Sequence, residues 1–277
     1  MRTSRHAVTA VLLLPGAAVV GLFLAAVAGL VQSALLGPDG FSTRYLTQIL
    51  NRPDYVVVMQ RTVLMSIAVA MTAAVLAYPI AFLLWRVPRW RNRLLILVML
   101  PWLVSIVVRT YGWMVILGPR GTINEVLAWL GLIDAPVKLM FNDLGILIGL
   151  THVLLPFAVI AILASMLQID PRLEEASESL GARPARTLWR VLLPLSAPGI
   201  FVGINITFLT SMGAVVTPIL LGGVREKMAG TQIYQDIVYA FNLPKASSWA
   251  LMLLLAAFLM LLVLRLAETA IMRRFRH

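Results

Sequence analysis

The chain has 277 residues, of which 60% are hydrophobic and 13% charged, whereas an ordinary soluble protein is about a quarter charged. It contains no cysteine, which excludes disulfides, thiolate metal sites and cysteine nucleophiles. The net charge of +11 raises the question of nucleic-acid binding, which the distribution of the basic residues along the chain decides below.

Six apolar stretches are long enough to cross a bilayer, since a membrane helix needs about 20 residues. They lie at residues 8–36, 63–85, 94–117, 144–167, 200–221 and 249–266. The sequence therefore predicts an all-α, polytopic membrane protein with six transmembrane helices.

The first stretch has two features of a secretory signal. Arg2 and Arg5 precede it, and the small residues Ala26-Val27-Ala28 imitate a cleavage site. Its apolar run is longer than the roughly 7–15 residues of a signal-peptide core. We therefore expect a membrane anchor that is retained.

The third stretch carries Arg109, Tyr111 and Trp113 near its end. An arginine between aromatic residues either anchors the helix at the membrane surface or gates a passage, and anchoring is favoured. The segment after it contains a turn cluster and then a short amphipathic helix, predicted over residues 126–134. In the fourth stretch, His152 is expected to be a hydrogen-bonded packing residue and not a proton relay.

Residues 168–197, called the polar loop below, separate the fourth and fifth stretches. Asp170 is a suitable N-cap and Pro171 suits the first helical position. The helix that follows has one small-to-apolar face, made by Leu173, Ala176, Ser177 and Leu180, and its acidic residues lie off that face. Gly181 is placed to end the helix in the left-handed conformation. A second short helix is predicted over 184–193, ended by Pro194 and Pro198.

Polar residues inside the fifth stretch are costly in lipid and therefore informative. They include Asn205, Thr207, Thr210 and Ser211, of which the last three share one helical face. That face either lines a cavity or carries hydroxyls that bond to their own helix, and the sequence leaves both interpretations open.

The basic residues are distributed unevenly between the two sides of the predicted membrane protein. Fourteen lie in the termini, in the loop after the second stretch and in the polar loop, against eight in the loops of the opposite side. By the positive-inside rule, both termini and the polar loop are cytoplasmic. The excess charge therefore reflects topology and contact with lipid, and nucleic-acid binding is excluded.

The polar loop resembles a known motif. Its Glu175-Ala176-Ser177, then Gly181, then Val191-x-Leu193-Pro194 is similar to the EAA loop of ABC importer permeases. The segments around 107–113 and 142–144 are similar to the spermidine/putrescine branch of that family. Two positions depart from the family pattern, because Ser177 stands where alanine is usual and Arg183 caps the second helix poorly.

The resemblance implies a type I ABC importer permease fold in a bacterial inner membrane. It divides the chain into an anchor span with the first periplasmic loop, 1–62, and a five-span core, 63–277. It also implies a second homologous permease, two ATPase subunits that bind ATP and Mg²⁺, and a periplasmic solute-binding protein. This chain itself is expected to be non-catalytic and to bind no cofactor or metal.

The resemblance also assigns roles to particular residues. Those expected to couple to the ATPase are Glu174, Glu175, Ala176, Ser177, Leu180, Gly181 and Ala182. The polarity and aromatic character of residues within the spans, and not the resemblance, suggest the residues along the translocation path, which are Arg109, Tyr111, Trp113, Asn205, Thr207, Thr210 and Ser211. The favoured solute is a polyamine such as putrescine or spermidine, and the alternative is an amino-acid-like, opine or phosphonate solute. A stand-alone secondary transporter is the competing class, which the lack of embedded carboxylates and of a repeat disfavours.

Overall fold

The computed structural model describes residues 2–37 and 40–275, and this part of the chain is almost entirely helical. The first half contains α1 (Arg2–Leu35), a two-stranded antiparallel ribbon of β1 (Leu36–Gly37) and β2 (Gly40–Phe41), α2 (Arg44–Asn51), α3 (Pro53–Arg86), α4 (Arg91–Leu103), α5 (Ile106–Leu117) and α6 (Thr122–Trp129). The second half contains α7 (Asp143–Met166), α8 (Arg172–Ser179), α9 (Pro184–Thr187), a π-turn (Leu188–Leu192), α10 (Leu193–Met212), α11 (Val216–Leu221), α12 (Ala229–Val238) and α13 (Leu243–Phe275).

Within the described residues, five helices are long and apolar enough to span a membrane. They cover Pro15–Leu35, Pro53–Arg86, Asp143–Met166, Pro184–Met212 and Leu243–Ala270. A sixth span results if the bent pair Arg91–Leu103 and Ile106–Trp129 crosses as one unit. The predicted all-α polytopic membrane protein is confirmed, with five spans or, counting the bent pair as one, six, although the bounds of several spans differ from those predicted.

The third predicted span is not a continuous helix. Its two halves meet at an angle of 91°, and the chain is extended at Val104 and Ser105 between them. Pro101 lies in the last turn of α4, where it lacks the N–H that would bond to the carbonyl of Leu97. The proline thus weakens the final turn, and the helix ends shortly after it.

The predicted end of the second loop helix at Pro194 and Pro198 is wrong. The helical path continues from Pro184 through the π-turn and α10 to Met212, with both prolines inside it. The Leu193 amide bonds to the Leu188 carbonyl, five residues back, so the register changes just before Pro194. Membrane helices tolerate proline when neighbouring groups satisfy the freed carbonyls.

The fifth span ends at Met212, nine residues before the predicted boundary at 221. Gly213 follows as the C-cap, and α11 begins three residues later. Glycine has a low helix propensity, and β-branched Val215 and Val216 also disfavour a helix. The interruption also makes room for α12, since a Cβ placed at Gly230 would lie 2.6 Å from the Ala214 carbonyl oxygen.

The chain divides into two compact units. The larger unit comprises Val57–Thr231 and the residues from Leu255 onward. Its centre is α7, the most buried of the apolar helices, which packs against α10 and α3. Small residues permit a close approach, because Gly199 and Gly203 of α10 face Ala158 and Ala161 of α7.

The smaller unit comprises the chain up to Val56 together with Gln232–Leu254. Polar contacts join its segments: Lys245 pairs with Asp236 at 2.9 Å, and Ser247 donates a hydrogen bond to Ser33 at 3.0 Å. The ring of Trp249 meets that of Tyr55 edge-on, with centroids 5.4 Å apart.

The loops contain more helix than the sequence predicted. The amphipathic helix expected over 126–134 is confirmed as α6, but it begins earlier, at Thr122, and ends at Trp129. Two further helices, α2 and α12, lie in segments that were expected to be loops. Each is short, and a ten-residue helix gives little periodicity to detect.

Replacing Gly199 with alanine should destabilise the larger unit. The new Cβ would lie 2.5 Å from the Cβ of Ser165 and 2.7 Å from the Ala161 carbonyl oxygen, so α7 and α10 must move apart. We expect a loss of about 1–3 kcal/mol in the free energy of unfolding, measured by denaturant titration in detergent micelles.

The matched control is Gly213→Ala, where the added Cβ would meet nothing within 4 Å. Its unfolding free energy should change by less than about 1 kcal/mol. Equal stability of the two variants would contradict the close packing of α7 on α10.

Candidate functional site

The polar loop begins and ends its first helix as predicted. The Asp170 carboxylate accepts a hydrogen bond from the Arg172 amide at 3.0 Å, which caps α8. Gly181 has a φ of +82°, its amide bonds to the Glu178 carbonyl at 2.8 Å, and the Ala182 amide bonds to the Ser177 carbonyl at 3.1 Å. These two bonds are those of a Schellman motif.

One face of α8 is uncovered within the described chain. Leu180 is 88% exposed and Leu173 45% exposed, and Ala176 between them is exposed as well. Glu175 and Glu178 are also exposed. An apolar strip beside acidic side chains is a surface that a groove on another protein can accept.

Two polar contacts beside this exposed face fix α8 to the rest of the larger unit, and one of them involves Ser177, which was predicted to belong to the face. The Glu174 carboxylate forms an ion pair with the guanidinium of Arg86, the last residue of α3. The Ser177 hydroxyl lies 2.9 Å from that of Thr187, which is buried just before the π-turn. Glu174 therefore faces inward, whereas Glu175 belongs to the exposed surface.

Arg109 lies in the first turn of α5, directly after the break, and not at the end of a continuous span. Its Nε and Nη1 atoms are buried and meet no acceptor in the described part of the chain. Trp113, one turn further, donates a hydrogen bond from Nε1 to Nδ1 of His152 at 3.2 Å. His152 is thus a hydrogen-bonded packing residue, as predicted, while Tyr111 is 54% exposed.

The polar residues of α10 do not share one environment. Thr207 and Ser211 are fully buried, and Thr210 is exposed. All three hydroxyls donate to carbonyls of their own helix, at 2.7 Å for Thr207 and Thr210 and 2.9 Å for Ser211. Asn205 has a buried side-chain oxygen without a partner among the described residues. These bonds fit the packing interpretation at Thr207 and Ser211, and Thr210 is the position that remains open to a path.

Several polar contacts were missed by the sequence interpretation. Arg61 of α3 pairs with Asp143 at 3.3 Å and donates to the Arg225 carbonyl. The Ala229 amide donates to the Thr62 hydroxyl at 2.8 Å. In the sequence, Arg61 and Asp143 each stand next to the start of an apolar stretch, and this position marks them as polar residues near a membrane surface. It does not show that they pair with each other. Among the described residues, no group of three His, Asp or Glu is placed to hold a metal ion.

Residues 70–277 match the family described as binding-protein-dependent transport system inner membrane component. The spermidine/putrescine transport system permease protein PotB of Escherichia coli (strain K12) is 33% identical over 224 residues, covering 80% of this chain and 81% of the relative. The inner membrane ABC transporter permease protein YdcU of the same strain is 31% identical, covering 73% and 68%. The family resemblance inferred from the polar loop is therefore confirmed.

Solved structures show the same fold. A bacterial ABC transporter involved in the import of the acidic polysaccharide alginate aligns with a TM-score of 0.71 at 19% identity, covering 96% of both chains. The MetNI methionine ABC transporter in an inward-facing conformation aligns with a TM-score of 0.58, covering 81% of this chain and 99% of the other. The type I permease fold is confirmed, and the family assignment removes the secondary-transporter alternative.

Cysteine substitutions should separate the three hydroxyl positions of α10. A cysteine at Thr210 should react with a water-soluble thiol reagent faster than cysteines at Thr207 and Ser211, because only Thr210 is exposed. The chain has no native cysteine, so the unsubstituted protein gives the background. No reaction at Thr210 would exclude it from a water-filled path, and equal rates at the three positions would contradict the burial of Thr207 and Ser211.

Proposed function

This chain belongs to the family of binding-protein-dependent transport system inner membrane components, and from that premise we propose how it works with its partners. It is a permease subunit, and it performs no chemistry of its own. We propose that it pairs with a second homologous permease, two ATPase subunits that bind ATP and Mg²⁺, and a periplasmic solute-binding protein. The uneven distribution of the basic residues supports cytoplasmic termini and a cytoplasmic polar loop in a bacterial inner membrane.

The proposal that α8 couples this chain to the ATPase rests on the exposed face of that helix. Leu173, Ala176 and Leu180 present apolar surface outside the lipid-spanning helices, with Glu175 beside them. Leaving such a strip in water is unfavourable, and a narrow amphipathic helix is suited to a groove. We assign this groove to the ATPase, so that ATP-driven movement of the ATPases displaces α8 and changes the access of the transport path.

The turn at Gly181 provides a test of this docking. A valine at φ +82° is strained by about 1–2 kcal/mol, although its side chain would have space. Gly181→Val should therefore reduce the amount of ATPase that co-purifies with the tagged chain, while membrane insertion of the chain stays normal.

The matched control is Gly181→Asn, since asparagine tolerates the left-handed conformation better than valine. It should retain more ATPase than the valine variant. If Gly181→Val binds ATPase as the unsubstituted chain does, or if no ATPase co-purifies with the unsubstituted chain, the proposed coupling fails.

A polyamine is the solute that the relatives favour. PotB proteins of several bacteria, named as spermidine/putrescine permeases, are 33% identical to this chain over 73–80% of its length. Exposed Tyr111 and the neighbouring Trp113 offer aromatic faces of the kind that attract organic cations. The acidic groups that a cation also requires would come from the second permease.

One observation favours a second candidate. Among the described residues, Nε and Nη1 of Arg109 are buried and have no acceptor, and a guanidinium in a membrane helix is stabilised by an anionic group. A solute that carries a carboxylate or phosphonate would supply that group.

Uptake measurements distinguish the two candidates. Proteoliposomes that contain the co-purified complex and its binding protein should accumulate labelled putrescine when ATP is present, and spermidine should compete. Arg109→Gln should leave this uptake within about twofold, since a cation gains nothing from the guanidinium. If no polyamine is taken up, while an acidic solute is taken up and its uptake falls in Arg109→Gln, the order of the candidates is reversed.

A further inference from the structure

We infer that the ion pair between Glu174 and Arg86 is a mechanical link through which α8 moves α3 directly. Glu174 is then a positioning residue of the transport cycle and lies outside the docking surface. The inference rests on the proposed coupling role of α8, and it adds a second route by which that helix acts on the membrane spans.

The geometry holds the ion pair firmly at both partners. The Glu174 side chain is only 13% exposed and that of Arg86 is 44% exposed. The Arg86 guanidinium also lies over the ring of Phe82, 5.2 Å from its centroid, so it is held by an aromatic face as well as by the carboxylate. An arginine fixed on two sides loses less conformational freedom on pairing than a free surface arginine.

Arg86 is well placed to pass on a displacement, because it ends a helix that is anchored in the core. Leu84, Ala81 and Ala77 of α3 are buried in the same cluster as Ile162 and Met166 of α7. A close-packed core transmits a displacement and does not absorb it. A displacement of the Arg86 guanidinium therefore displaces the last turns of α3.

The covalent route from α8 to α10 is less direct. It passes through the left-handed turn at Gly181, then the four-residue helix α9, then the π-turn at Leu188–Leu192. The hydrogen bond between the hydroxyls of Ser177 and Thr187 bridges only the first part of this route. Glycine turns and π-turns are positions where a helical path changes direction easily. The contact between Glu174 and Arg86 connects α8 directly to the span α3, without a glycine turn or a π-turn between the two helices.

Neutral substitutions test the link in the complete transporter complex. Glu174→Gln and Arg86→Gln should each lower the ratio of solute-stimulated to basal ATPase activity by about twofold to fivefold, the range expected for a partly exposed ion pair. The amount of ATPase that co-purifies should stay unchanged. The double variant should lose no more than either single variant, because the two side chains act as a unit.

Arg89→Gln is the matched control for Arg86→Gln, since it removes the same charge from an exposed position just after α3 and outside the docking surface of α8. It should leave the ratio unchanged. An unchanged ratio in Glu174→Gln, an effect of equal size in the control, or multiplicative losses in the double variant would each overturn the inference. None of these results affects the proposed coupling, which is tested separately by the co-purification of ATPase with the unsubstituted chain and with Gly181→Val.

A covalent replacement covers the case in which the neutral variants assemble poorly. Cysteines at positions 86 and 174 remove the ion pair, and a short reagent that joins two thiols then restores a link between α3 and α8. Stimulated ATPase activity should rise after this reagent is added, and variants with a single cysteine at position 86 or at position 174 should show no such rise. A pair at 86 and 174 that is unaffected or inhibited by cross-linking overturns the inference. The described residues contain no free cysteine that could react instead.

Discussion

The close contact between α7 and α10 positions the whole polar loop. The loop leaves the membrane at the end of α7 and returns through the π-turn into α10, so the distance between its two ends is set by how these helices pack. Gly199 permits that packing, because even a methyl group there would overlap Ser165 and the Ala161 backbone. In lipid, helices gain little from the hydrophobic effect, and small residues at the contact replace it by allowing close van der Waals packing.

The features of the polar loop that depend on neighbouring residues could be predicted from the sequence. Asp170 caps a helix two residues later, and Gly181 ends it in a conformation that few other residues adopt. Each of these interactions closes within one helical turn, so residue type and spacing are sufficient. The same holds for the presence of the apolar spans, because the thickness of the bilayer sets a minimum length, but the bounds of several spans differ from the predicted ones.

Predictions failed where a distant segment or a change of helical register decides the structure. Pro194 usually ends a helix, but here the preceding π-turn shifts the hydrogen bonds, and the Ser196 hydroxyl bonds to the Leu192 carbonyl at 2.7 Å. The break at Val104 and Ser105 leaves no signal in hydropathy, because both halves are apolar. The partner of Glu174 lies 88 positions away, and the sequence offers several basic residues that could fill this role.

The hydroxyl residues of α10 show a second limit of prediction from the spacing of residues. Thr207, Thr210 and Ser211 recur with the helical period whether they line a cavity or bond to their own backbone, so spacing alone leaves the two interpretations equal. Burial distinguishes them: two positions are enclosed by this chain and one is not. Arg109 and Asn205 also carry buried polar atoms that have no partner within the described part of the chain, and such atoms in a membrane span require a partner from a neighbouring subunit, water or solute.

Two polar contacts connect α8 to two different spans. Ser177 forms a hydrogen bond with Thr187, in the segment that continues into α10, and Glu174 forms an ion pair with Arg86 at the end of α3. Both of these spans pack against α7, which therefore serves as a common support. In the proposed coupling, a displacement of α8 tilts the two spans together, because both share this support. A concerted tilt of packed helices is the kind of motion that alternating access requires, and it needs no flexible segment within the core itself.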